Sequence, residues 1–304
     1  MTVAETIRAA AEMLAAVSDT ARLDAELLMA HALGLTRSDM LLKAMRDPAP
    51  EGFAALVERR VGHEPVAYIT GEAEFYGLTL KVTPATLIPR GDSETLIEAA
   101  REAFQGRLGP KRILDLGTGS GALLLAAMSV WHEAEGYGID RDPFAAVVAL
   151  QNAERTGINS PPDPLELRQQ DERLGGLGLA SKGYGYLGRA RFREADWHKR
   201  GWARGLGTFD LILCNPPYVE EDAELDPQVR DFEPASALFA GPEGLDDYRI
   251  LIPQLRVLMN PQAVAIFEIG ANQADSVGSL ATASGFAVDL RRDLAGRPRA
   301  LILS

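Results

Sequence analysis

Four consecutive residues, Asn215-Pro216-Pro217-Tyr218, carry the most distinctive chemistry in this chain. Proline has no N–H and holds φ near about −65°, so two in a row present carbonyl acceptors without competing donors. A residue before proline is pushed into an extended conformation, which stiffens Asn215 and Pro216. An asparagine side-chain oxygen beside the Pro216 carbonyl can accept both hydrogens of one planar –NH2 group. Such a pair grips a carboxamide or the exocyclic amine of a base, and Tyr218 adds a flat face for stacking. Taken alone, the same residues also fit a tight proline turn capped by asparagine. Their surroundings favour a site.

Asp115-Leu116-Gly117-Thr118-Gly119-Ser120-Gly121 is a glycine loop leading into a helix expected over 122–130. Glycines admit a ligand close to the backbone, and a helix N-terminus supplies unpaired N–H groups. The spacing is G-x-G-x-G, not the G-x-G-x-x-G of dinucleotide sites. A zwitterionic amino-acid tail fits it better than a pyrophosphate. Gly136-Tyr137-Gly138-Ile139 then ends at Asp140, an acid about 20 residues beyond the loop, where α/β nucleotide domains hold a ribose diol. The plainer alternative is that Asp140 caps the helix beginning near Pro143. Asp196-Trp197 closes a third candidate strand, 189–195. These two could border an adenine ring, Asp196 through its amine and Trp197 by stacking, unless Trp197 merely covers apolar surface.

These residues need elements to hold them. The apolar run Phe209-Asp210-Leu211-Ile212-Leu213-Cys214 reads as a buried parallel strand, which puts the tetrapeptide at a strand's carboxyl end, where open α/β sheets build sites. Strands alternate with helices from residue 112 onward and predict a doubly wound sheet. A fifth buried strand is expected over 263–269. Two final strands, 286–291 and 300–303, have no helix between them and suggest a terminal hairpin with one antiparallel strand. Ahead of the sheet, residues 3–62 form a small helical bundle. Ile7, Ala10, Ala11, Leu14 and Val17 recur at spacings of three and four. Ser18-Asp19 caps a second helix over 22–33 that Gly34 ends, Thr36 caps a third, and a fourth runs from Pro50 to Arg60. A short hairpin around Phe75 to Val82 joins bundle and sheet. Asp92 or Ser93 is the expected cap of a helix over 95–104. Proline and glycine crowd residues 160–188, a long surface insertion by composition.

A chain of 304 residues accommodates one large and one small domain. Its net charge of −12 argues against long-range attraction to phosphate backbones. Cys214 is the single cysteine, so no intrachain disulfide can form. Its apolar setting reads as packing, and the composition suits a reducing compartment. His31 and His63 stand without neighbouring ligand types, so no metal is expected. With no basic leader and no apolar run of about 18 residues, the expected location is cytoplasmic, with no membrane contact.

The loop after strand one, the acids after strands two and three and the tetrapeptide after strand four resemble a class I S-adenosylmethionine-dependent methyltransferase. More closely, Arg59-Arg60, Glu64-Pro65, Tyr68-Ile69, Gly71, Ile88-Pro89-Arg90, Asp92, Glu94, the glycine loop, Asn215 to Tyr218, Arg230-Asp231-Phe232-Glu233-Pro234, Gly244-Leu245-Asp246 and Arg292-Asp293-Leu294-Ala295-Gly296-Arg297 resemble the HemK/PrmC family. Those are glutamine methyltransferases of peptide chain release factors. The resemblance implies a Rossmann-like seven-stranded α/β sheet with an N-terminal recognition bundle (1–72), a hairpin linker (73–90) and a catalytic domain (91–304). It implies S-adenosylmethionine as cofactor, held by Gly117, Thr118, Gly119, Ser120, Gly121, Asp140, Trp197 and Asn215. It further implies that Asn215, Pro216, Pro217 and Tyr218 hold the glutamine of the Gly-Gly-Gln tripeptide of class 1 release factors, with the bundle gripping that partner. Family members usually have Pro and Thr where this chain has Gly91 and Ser93, and they lack the insertion.

Two rivals share the tetrapeptide's chemistry. A nucleic-acid amino-methyltransferase would more typically bring a basic surface, and the acidic balance argues against a direct nucleic-acid substrate. A ribosomal-protein glutamine methyltransferase is nearer, with Asp92 and Glu94 favouring release factors. Outside enzymology, a cofactor-binding regulator remains, which detectable methyl transfer would exclude.

Overall fold

The computed structural model describes residues 1–158 and 189–304. The insertion expected over 160–188 therefore lies outside the described residues. Helices α1 (Val3–Leu14), α2 (Ala21–Leu33), α3 (Arg37–Asp39, continued by a π-turn), α4 (Phe53–Val61) and α5 (Val66–Thr70) come first. A core of its own, including Ile7, Leu14, Leu28, Met29, Met40 and Phe53, holds them together. Gly34 ends α2 in the left-handed conformation, as expected. Ser18, however, does not cap α2: its hydroxyl donates to Asp24 at 2.8 Å. Asp24 is the stronger acceptor because it also takes Arg60 Nε at 2.8 Å, both side chains being buried.

The hairpin pairs β1 (Glu72–Phe75) with β2 (Leu78–Lys81). Its two turn residues, Tyr76 and Gly77, both have positive φ, 50° and 75°, the handedness that matches strand twist. Phe75 and Leu80 are buried in the core of the sheet domain. Buried Asn152 ties the pieces together: it accepts Lys81 N–H at 2.7 Å and donates to the carbonyls of Lys81 and Ser120, each at 2.9 Å. The hairpin is thus braced to the glycine loop.

After α6 (Glu94–Ala103) come β3 (Arg112–Leu116), α7 (Ala122–Val130), β4 (Glu135–Asp140), α8 (Pro143–Arg155), β5 (Ala190–Glu194), β6 (Phe209–Cys214), α9 (Pro227–Arg230), α10 (Asp246–Leu251), β7 (Met259–Glu268), α11 (Ala274–Ala283), β8 (Val288–Arg292) and β9 (Pro298–Leu303). The order β5-β4-β3-β6-β7-β9-β8 makes a seven-stranded sheet. All pairings are parallel except those of β9, which runs antiparallel to both β7 and β8. This is the class I methyltransferase sheet, with its terminal hairpin where the sequence put it. Successive strand residues face opposite sides. Ile113, Leu211 and Leu213 therefore enter the core beneath α6 and α7, while Leu114, Ile212 and Cys214 enter the core with Tyr248 and Phe267. Burial on both faces is what makes β3 and β6 mostly apolar, with one acid in each, Asp115 and Asp210.

From β3 the chain winds outward through β4 to the edge strand β5, then returns to place β6 on β3's other side. The direction of winding reverses between β3 and β6, so the loops leaving those two strands part and leave a crevice. The glycine loop and the tetrapeptide are those two loops.

Candidate active site

One cavity lies at that reversal. Its lining includes Gly117, Thr118, Gly119, Ser120, Asp140, Trp197, Asn215 and Pro217 from the expected set, joined by Phe75, Arg90, Ser93, Pro234 and Asp247. Gly121, Pro216 and Tyr218 do not line it.

Gly117, Gly119 and Gly121 have φ of 72°, 53° and 84°, a region L side chains avoid. A Cβ on Gly117 would stand 3.2 Å from Trp197 Cη2, so only a bare backbone leaves the floor of the cradle open. Gly121 N–H closes the loop on the Thr118 carbonyl at 2.7 Å. Asp140 does not cap α8; Asp142 does, accepting Phe144 N–H at 2.8 Å. Instead the Asp140 carboxylate braces the loop, accepting Gly119 N–H and Asp142 N–H at 2.9 Å each. Burial raises its pKa. Behind the loop, fully buried Asp115 accepts the Thr118 hydroxyl at 2.7 Å, leaves its other oxygen without a partner, and is pushed by burial up to about 7.

Trp197 is fixed as a wall of the cavity by Nε1–H donation to buried Asp247 at 2.5 Å. Asp196 behaves otherwise than expected. Its carboxylate turns to His198 N–H at 3.0 Å and lies 3.6 Å from Lys199 Nζ, so the acid beside Trp197 in the cavity is Asp247, which comes from α10.

Beneath the tetrapeptide sits a polar cluster that no local pattern announces. Ser93 does not cap α6. Its Oγ–H donates to Glu268 Oε2 at 2.5 Å, and Asn215 Nδ2 reaches Ser93 Oγ at 3.5 Å. Tyr218 Oη donates to Glu268 Oε1 at 3.3 Å. Arg299 Nη1 stands 3.9 Å from the same oxygen, and its Nη2 meets Asp92 at 3.0 Å. Glu268 is 1% exposed. Burial pushes its pKa from 4.5 up to about 7, against the pull of Ser93 and Arg299. Tyr218 is likewise raised by burial, so its phenol stays protonated as a donor. Across the mouth, Arg90 pairs with buried Glu233, which also accepts Ile88 N–H at 3.1 Å. The 88–90 and 230–234 motifs are thereby pinned as two sides of one opening.

The Glu268 shift has a measurable consequence. A carboxyl whose folded pKa exceeds its unfolded one binds more protons in the native state between the two values, so stability falls as pH rises through that window. The window here is 4.5 to about 7. Glu268→Gln is expected to gain stability over the unsubstituted protein as pH climbs from 4.5 to 7, by about 1–2 kcal/mol at the upper end. Thermal melting of both proteins across that range checks it. A gap that stays constant with pH would leave no role for the buried charge.

Cys214, buried and raised well above its ordinary pKa by that burial, packs and offers no thiolate. Among the described residues no group of three or more His, Cys, Asp and Glu could hold a metal ion. Among them also, no helix is long and apolar enough to cross a membrane.

Comparison with known proteins agrees with this geometry. The family described as PrmC N-terminal domain matches residues 5–71. The family described as ribosomal protein L11 methyltransferase (PrmA) matches residues 97–173. The release factor glutamine methyltransferase of Rhodospirillum rubrum is 39% identical over 287 residues, 92% of this chain and 78% of that protein. That of Bradyrhizobium diazoefficiens is 36% identical over 302 residues, 96% of this chain and 91% of that protein. Among solved structures, the hMettl16 catalytic domain in complex with MAT2A 3'UTR hairpin 6 superposes with a TM-score of 0.51 at 13% identity, covering 75% of this chain and 76% of that one. That likeness speaks to the fold alone. With relatives matched above 30% identity across nearly its whole length, the chain belongs to the release factor glutamine methyltransferase family.

Proposed function

We propose that this protein transfers a methyl group from S-adenosylmethionine to the side-chain amide nitrogen of the glutamine in the Gly-Gly-Gln tripeptide of class 1 release factors, in the cytoplasm. The observation that carries the reading is the meeting of Asn215 with the glycine loop and Asp140 on one cavity. The cradle suits such a cofactor: three left-handed glycines keep the backbone open, a carboxylate stands at the end of β4, and an indole forms a wall. Gly117 to Ser120, Asp140 and Trp197 would hold it, with Gly121 closing the loop behind them. When bound, it supplies an electrophilic methyl on a sulfonium.

The chain's own work is on the acceptor. An amide nitrogen is a poor nucleophile because its lone pair is delocalised into the carbonyl. With Asn215 Nδ2 directed at Ser93, its Oδ1 is the atom left to face the cavity. The Pro216 carbonyl has no hydrogen-bond partner among the described residues. Asn215 Oδ1 would take one N–H in the cavity, and the Pro216 carbonyl, next along the turn though outside the lining, is the candidate for the other. Together they would orient the nitrogen and stabilise positive charge as it develops on it. Tyr218 is held by Glu268 outside the cavity lining, which makes it a brace for the tetrapeptide. We assign residues 1–72 to partner recognition, 73–90 to the hairpin connection and 91–304 to catalysis.

Peptide mass spectrometry tests the reading directly, after a class 1 release factor is incubated with this protein and S-adenosylmethionine. One added methyl on the Gly-Gly-Gln glutamine is expected. No methyl there, with the cofactor shown to bind, would overturn the substrate assignment and turn the search to ribosomal proteins.

A further inference from the structure

We propose that Glu268 and Ser93 are positioning residues that set which end of the Asn215 carboxamide faces the substrate. The inference rests on the glutamine-methylation reading and deepens it. A carboxamide has one accepting end and one donating end, similar in shape, and only the accepting end can take the N–H groups of a substrate amide. Something must therefore choose between two orientations that pack equally well.

The choice is made 175 residues along the chain from Ser93. Glu268 closes β7 and is fully buried. Once ionised, above its raised titration range, it offers no hydrogen, so the Ser93 hydroxyl then spends its single hydrogen on it, at 2.5 Å. What Ser93 then turns toward Asn215 is lone pairs. Nδ2 at 3.5 Å meets them favourably, whereas Oδ1 in that place would face lone pairs with lone pairs. The 3.5 Å separation is long, as such contacts commonly are before substrate binds. The surroundings keep Glu268 in place to do this. Tyr218 donates to its other oxygen from the tetrapeptide, Arg299 stands over it from β9, and Tyr248 from α10 donates to its backbone carbonyl at 2.7 Å. Arg299 is in turn held by Asp92 and Asp293. Asp92 is the residue before Ser93, so the same assembly fixes the hydroxyl and its acceptor.

The test is a comparison of turnover on a class 1 release factor, with cofactor affinity measured by titration calorimetry in the same samples. Ser93→Ala is expected to lower kcat about tenfold, the lower range for loss of one oriented contact, with cofactor Kd within about twofold. Ser93→Thr restores the hydroxyl and should recover most of that turnover. In Glu268→Gln the side chain can turn a donating –NH2 toward Ser93, so the hydroxyl's hydrogen is no longer committed, and kcat falls by a similar factor. Residues acting through one another give non-additive losses, so the double variant Ser93→Ala/Glu268→Gln should be no slower than the slower single one. Full kcat in Ser93→Ala, failure of Ser93→Thr to restore it, or multiplying losses in the double variant would each overturn the proposal. An unsubstituted protein that leaves the release factor unmethylated would instead defeat the substrate reading, and the proposal with it.

Discussion

Asn215→Ala is expected to lower kcat by about 10²–10³, the scale on which one preorganised polar group acts in a transition state, while cofactor Kd changes by less than about threefold. The asymmetry follows from where Asn215 sits. It lines the cavity from the β6 side, and its amide nitrogen is engaged with Ser93. On the proposed reading its oxygen serves the acceptor amide, whose positive charge grows only as the methyl arrives. An interaction that strengthens in the transition state shows in kcat more than in ground-state binding. The cradle on the β3 and β4 side, with its own hydrogen bonds, is left intact. Single-turnover kinetics with saturating cofactor checks the chemical step. Turnover within a few-fold of the unsubstituted protein would remove Asn215 from the reaction.

How much of this could be read from the sequence depends on the range of each interaction. The tetrapeptide and glycine loop were legible because backbone constraints act over neighbouring residues: prolines and glycines in short runs announce their geometry locally. The sheet was legible because β3 and β6 are buried on both faces and so are mostly apolar, each interrupted by a single acid, Asp115 and Asp210. Asp140 was placed correctly at the end of β4, although its use as a brace for Gly119 was not foreseen. Interactions between distant segments stayed hidden. Ser93 looked like a helix cap, since serine before a helix commonly is one, but a buried carboxylate from β7 claimed its hydrogen. Asp196 looked like the acid bordering the cavity because it precedes Trp197, yet an exposed histidine and lysine lie closer to hand, and the acid that lines the cavity beside Trp197 is Asp247. The hairpin read as a mere connector because nothing local shows that Phe75 reaches the cavity or that Asn152 clasps Lys81. Glycine at 91 is compatible with the short 3-10 turn that forms there, and a Cβ at that position would meet open space.

A second large effect is expected at the other end of the cavity. Asp140→Ala should weaken S-adenosylmethionine binding by about 10- to 150-fold, the equivalent of losing a charge-assisted hydrogen bond of about 1.5–3 kcal/mol, with kcat at saturating cofactor much less affected. Two roles converge on this carboxylate. Its position at the carboxyl end of β4 is where α/β domains meet a ribose diol with an acid. It also fixes Gly119 and Asp142 through their N–H groups, so on the proposed reading removing it both takes away a ligand contact and slackens the loop. Asp140→Asn separates the two. It keeps an oxygen for Gly119 but turns a donating –NH2 to Asp142 N–H and lacks the charge, so affinity should fall to an intermediate value and thermal stability should drop less than in Asp140→Ala. Because burial raises the Asp140 pKa, affinity in the unsubstituted protein should weaken toward acid pH earlier than an ordinary carboxylate would require, and Asp140→Asn should show no such limb. Calorimetric titration across pH reads all three. Unchanged affinity with lowered thermal stability in Asp140→Ala would leave the residue as a loop brace alone, and the ribose contact would have to come from elsewhere in the cavity.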